Sequence, residues 1–109
     1  MSELGDLRRL FTKLVITELT PLMYQDGLEI ALDFVKRCET CTIGRYNSVH
    51  KLGLAVDIHL YKHKDYLEDT ESHKKYGEFW EKLDPSCRWG GRFRRADGNH
   101  YSMIYMGMC

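Results

Sequence analysis

Residues 48–61 read SVHKLGLAVDIHLY, and within them Leu54, Val56, Ile58 and Leu60 recur at every second position. Ala55, Asp57, His59 and Tyr61 fill the places between. A period of two belongs to a strand, whose successive side chains point to opposite faces. The spacing therefore predicts a strand over 54–61 with one apolar face for a core. The other face carries Asp57, an acid in a setting where acids are depleted. Gly53, just before the run, supplies the residue at which the chain can bend sharply.

Working outward, residues 28–36 (LEIALDFVK) also alternate, with Leu28, Ile30, Leu32 and Phe34 on one side, and predict a half-buried strand. Upstream, Leu7, Leu10, Phe11, Leu14, Val15 and Leu19 are spaced for one face of a helix over 3–20, which Pro21 is expected to limit. Asp26-Gly27 is a turn signal. Downstream, Asp69-Thr70-Glu71-Ser72 opens a helix running to about Leu83, with Tyr76, Phe79, Trp80 and Leu83 on its apolar face and Asp84-Pro85 after it. Residues 86–99 read as a Gly- and Arg-rich loop, and 100–106 (HYSMIYM) as a last strand. Two or three helices on a small antiparallel sheet make an α+β domain.

The chain has 109 residues, the size of a single domain, 1–109. Lys plus Arg and Asp plus Glu balance at 16 each, so net charge offers no argument for nucleic acid or an anionic membrane. The apolar stretches are too short to span a bilayer, and no signal-peptide run follows the acidic start MSELGD. The expectation is a soluble, monomeric cytoplasmic product, with Cys38, Cys41, Cys87 and Cys109 as free thiols.

The residues that point to chemistry are His50, Asp57 and the turn Asp97-Gly98-Asn99-His100. Zinc takes nitrogen and oxygen ligands at about 2 Å, and catalytic sites keep an open fourth position. Two His and one Asp meet that need. His50 and Asp57 lie about 23 Å apart in a straight strand and on opposite faces, so they share an ion only if the chain bends between them at Gly53. Asp97 and His100 flank a two-residue turn that lets both side chains converge, one as ligand and one as base.

The frame SVHKLGLAVD, followed by RWGGRF and DGNHYS, resembles the peptidase M15 family. That family contains phage endolysins of the L-alanyl-D-glutamate peptidase type and D-alanyl-D-alanine carboxypeptidases. Its pattern S-x-H-x-x-G-x-A-x-D is matched by Ser48, His50, Gly53, Ala55 and Asp57, and its later acid and His by Asp97 and His100. The resemblance covers roughly residues 28–106. It implies a Hedgehog/DD-peptidase-like fold, Zn2+ held by His50, Asp57 and His100, and Asp97 as general base. It also implies an Arg that polarises the scissile carbonyl: Arg37 is the better match and Arg45 the rival. Ser48 is expected to support the ligand shell. With Arg45, Arg92 and Trp89 it completes the candidate substrate-binding set.

The implied activity is hydrolysis of the L-Ala–D-Glu bond of peptidoglycan stems by an endolysin without a separate wall-binding domain. Such an enzyme waits in the host cytoplasm until holin-type release. A D-Ala–D-Ala carboxypeptidase with the same site, and a zinc-bearing module that binds wall without cleaving it, are the alternatives. His59, His63 and His73 are not expected to be ligands, and Cys38-x-x-Cys41 lacks the second pair of a structural zinc site. Arg88, Arg92, Arg94 and Arg95 read either as a solvated loop or as a recognition patch for stem carboxylates.

Overall fold

A computed structural model describes residues 3–34, 52–107 and 109. Its sheet is built around β2, Ala55–Lys62, the strand anticipated from the alternation. Strand β1, Glu29–Asp33, runs antiparallel along one edge of β2, with Asp33 opposite Asp57 and Glu29 opposite Tyr61. The other edge is shared by two strands. The short β3, Asp65–Leu67, pairs with Leu60–Lys62, and β5, His100–Met103, pairs with Ala55–Asp57. Strand β4, Cys87–Trp89, adds outside β5. Every pairing is antiparallel, and the whole is the expected α+β arrangement.

Leu54, Val56, Ile58 and Leu60 are all fully buried, as their alternation requires. They share one core with Phe11 of helix α1, Glu3–Leu14, with Val15, Leu19 and Met23 after it, with Trp80 of helix α3, Thr70–Leu83, and with Tyr101 and Met103 of β5. Trp80 is the hub. Its ring meets Phe11 and Tyr101 edge-on at 5.7 and 6.4 Å, and its Nε1 donates to the carbonyls of Arg88 and Ser102. Buried aromatic rings prefer such edge contacts, and a buried indole N–H needs an acceptor. Asp69 caps α3 by accepting from the Ser72 amide at 3.1 Å, so the start expected from Asp69-Thr70 is met.

Pro21 does not end the first helix. A π-helical turn, Val15–Leu19, leads into helix α2, Thr20–Gln25, with Pro21 in its first turn. Pro21 has no amide to donate within this continuous helical run, and the bonding widens just before it. The Thr20 amide bonds five residues back to Val15, and the Thr20 hydroxyl reaches the Ile16 carbonyl. The wider turn thus absorbs the missing proline N–H. Helix α2 closes at Asp26-Gly27: the Gly27 amide bonds Tyr24, the Leu28 amide bonds Met23, and Gly27 takes a φ of 83°. This is the paired-bond ending that favours glycine.

Three other expectations change. Leu28 is buried and Ile30 packs on the core, but Leu32 and Phe34 are 40% and 49% exposed. As an edge strand, β1 is covered only where the Asp26-Gly27 turn returns it onto α2. The loop expected over 86–99 contains β4 and a 3-10 turn, Gly90–Arg92. A three-residue strand shows too little alternation to declare itself. The last strand ends at Met103, not residue 106. His50, Ser48, Arg37, Arg45, Cys38 and Cys41 lie outside the described residues.

Candidate metal centre

The register of β2 against β5 sets Asp57 directly opposite His100. Directly opposed residues put both side chains on one face, about 4.5–5.5 Å apart at Cβ. That face is the one away from the apolar residues of β2. Both side chains are nearly buried, each residue being 6% exposed. Oδ1 of Asp57 stands 3.4 Å from Nδ1 of His100.

Asp97 joins them from the turn before β5. Potential ligand atoms of Asp57, Asp97 and His100 all lie within 4.8 Å of one another. Four hydrogen bonds fix this turn. The Asp97 amide donates to Gly90 at 2.9 Å and the His100 amide to Asp97 at 3.1 Å. The Ile58 amide on β2 donates to Asn99 at 2.8 Å, and Trp89 Nε1 donates to Gly98 at 2.7 Å. The Arg94-Arg95-Ala96 segment is taken up as an exposed bend between Phe93 and Asp97, whose amides both bond the Gly90 carbonyl. Gly90 must be glycine, since a Cβ there would lie 2.2 Å from the Asp97 carbonyl oxygen and 2.8 Å from the His100 Cβ.

The donor set fits a zinc ion. Nε2 of His100 lies 2.7 Å from the main-chain oxygen of Cys109, which only accepts, so Nε2 carries the proton. In the neutral ring Nδ1 then holds a lone pair facing a carboxylate oxygen. A metal-ligating His commonly donates its other N–H in this way to a carbonyl or carboxylate. Two ligands at about 2.0–2.2 Å from a tetrahedral ion stand about 3.3–3.5 Å apart, and the Asp57–His100 separation falls in that interval. Phe93 packs its ring 5.2 Å from that of His100.

Other candidates stand elsewhere. Trp89 is buried and supports the 97–100 turn from below through its bond to Gly98. Arg92 is engaged with α3, its Nε donating to Glu81 at 2.5 Å and its Nη2 lying 3.7 Å from Glu78. Sequence reasoning missed Asp33, which the register of β1 places on the same face as Asp57 and directly opposite it. It also missed the environment of His73, which is fully buried with Nδ1 2.8 Å from the Tyr101 hydroxyl. Burial pushes the His73 ring down to about 4, against the opposing pull of the Asp69 and Asp97 charges. The helical spacing of His73, Tyr76, Gly77 and Trp80, which all share the buried face, is the signal that would have found it.

His59, two residues along β2 from Asp57 and on its face, bonds through Nδ1 to the Tyr66 hydroxyl at 3.0 Å. The Tyr66 phenol is raised above its ordinary value, chiefly by burial and then by the neighbouring Tyr61, Glu68, Asp57 and Asp97. It is therefore a hydrogen-bond donor at neutral pH.

A comparison with curated protein sequences gave no match. A family model described as D-alanyl-D-alanine carboxypeptidase matches residues 42–103, more than half of the chain and the part that carries Asp57, Asp97 and His100. With ligand-type side chains gathered where that match runs, the chain belongs to the M15 peptidases, a family of metallopeptidase-type cell-wall enzymes.

Proposed function

We propose that the chain is a zinc-dependent peptidoglycan peptidase of the endolysin kind, hydrolysing the L-Ala–D-Glu bond of stem peptides. The observation that carries the reading is the arrangement at 3.4 Å of Asp57 Oδ1 and His100 Nδ1, with Asp97 beside them. His50 is the third ligand in this reading. A zinc ion held there supplies a Lewis acid and lowers the pKa of water to about 7. Asp97 takes the proton of the attacking water and returns it to the leaving amine. Arg37, with Arg45 as rival, steadies the charge that develops on the scissile carbonyl. The Cys109 oxygen holds the His100 ring in the tautomer that leaves Nδ1 toward the ion. The enzyme reaches the wall from the host cytoplasm after holin-type release.

The description of the matching family favours a second reading, D-Ala–D-Ala carboxypeptidase activity at the same centre. Mass spectrometry of digested peptidoglycan separates the two: new amino-terminal D-Glu marks the endopeptidase, and free D-Ala the carboxypeptidase. Asp97→Ala is expected to lose about 10²–10⁴-fold in rate while retaining zinc. Wild type, Asp97→Ala and chelator-treated enzyme of equal activity would overturn the mechanism.

A further inference from the structure

The face of β2 that carries Asp57 holds more than the candidate metal centre. On the edge of β2 that β5 and β3 share, the two strands leave a gap at Ile58 and His59. His100, opposite Asp57, borders one side of that gap, and on the other side Leu67, opposite Leu60, is followed by Tyr66 on the face of Asp57 and His59. Tyr66 sits opposite Tyr61, its ring 5.3 Å from that ring, and leans diagonally back to His59. Aromatic side chains reach such diagonal neighbours across antiparallel strands. Tyr66 is 44% exposed, so its hydroxyl is placed by His59 without being sealed from solvent.

His59 lies two residues beyond Asp57, about 7 Å along the strand. A peptide laid in extended form along this face covers the same distance with two residues. We infer that the Tyr66 hydroxyl, accepting from the Nδ1–H of His59, donates its own proton to a carbonyl or carboxylate oxygen of the peptide substrate about two residues from the scissile bond. This rests on the peptidase reading above and adds to it a requirement for substrate length. His59 is the positioning residue and Tyr66 the binding one. Tyr61, which stacks on Tyr66, supports the ring without supplying the donor.

The test pairs a length series of synthetic stem peptides with the zinc-loaded wild type, Tyr66→Phe and His59→Ala. Tyr66→Phe removes one oxygen and keeps the ring contacts, so the fold is retained. One residue of extension, on one side of the scissile bond, is expected to raise wild-type kcat/KM about tenfold, the scale of a single hydrogen bond to a charged acceptor. Tyr66→Phe should lose that gain and match the wild type on the shortest peptide. His59→Ala should lose the same gain, and the double variant no more than either. Calorimetric binding of the same peptides to the metal-free proteins should show the same length-dependent loss. Tyr66→Phe with the wild-type length dependence, or with equal losses on every peptide, overturns the inference. A wild type that cleaves no peptide overturns the peptidase reading instead, and the metal-free binding series still decides the role of Tyr66.

Discussion

His73 should make the fold sensitive to mild acid. Its ring is fully buried and held neutral, with a folded value of about 4 against an ordinary 6.5. Well above pH 6.5 neither the folded nor the unfolded ring is charged, and stability is at its full value. Between pH 6.5 and 4 the unfolded chain binds a proton that the native chain refuses, so stability falls with pH. Linkage with these two values removes about 2 kcal/mol by pH 5 and about 3 kcal/mol once both states are protonated. The assay is urea unfolding of metal-free protein in chelator at pH 7.5 and pH 5, comparing wild type with His73→Leu. At pH 7.5 the variant should be weaker by about 1–3 kcal/mol, because the Tyr101 hydroxyl keeps no partner in its buried place. At pH 5 that gap should shrink by about 2 kcal/mol, since only the wild type carries the His73 penalty. A carboxylate such as Asp26, held below its ordinary value of 3.8 by Lys75 and Tyr76 and not by His73, acts at lower pH and cancels in the comparison. A gap that stays constant between the two pH values refutes the reasoning.

The remaining predictions concern the turns. Gly90→Ala should disturb the Asp97–His100 turn through the 2.2 Å approach to the Asp97 oxygen, lowering zinc affinity in a competition titration at least about tenfold. His63 and Lys64, with φ of 52° and 74°, connect β2 to β3 in a geometry that Asn-Gly adopts without strain. The His63→Asn, Lys64→Gly double variant should gain about 1 kcal/mol in urea unfolding and leave zinc content unchanged.

How much was legible in the sequence depends on how much regular pattern each element had. The strand through Asp57 announced itself because four of its residues needed the same dry face. The helix after Asp69 had both a cap and an apolar stripe. The three-residue strands β3 and β4 had neither, and their pairing is a tertiary event. The His63-Lys64 connection hid its hairpin because residues with side chains occupy positions where glycine or asparagine would be a signal. Within the site, Asp57, Asp97 and His100 were marked by spacing and by the turn between the last two. Asp33, His59 with Tyr66, and His73 were not, since each acquires its neighbours only when strands or helices from distant parts of the chain meet.

What places the metal centre is the hydrophobic register, not attraction among its own side chains. Asp33 and Asp57 face each other across β1 and β2, and like charges so opposed weaken a sheet. The pairing persists because a slip of β2 by one residue would turn Leu54, Val56, Ile58 and Leu60 out of the core and Asp57 into it. Each of those four side chains contributes about 1.5–3 kcal/mol through burial, and a one-residue slip would forfeit all four contributions together. The same four residues therefore hold an unfavourable row of acids in place, with His100 at its end. A cation held between Asp57, Asp97 and His100 would offset that repulsion.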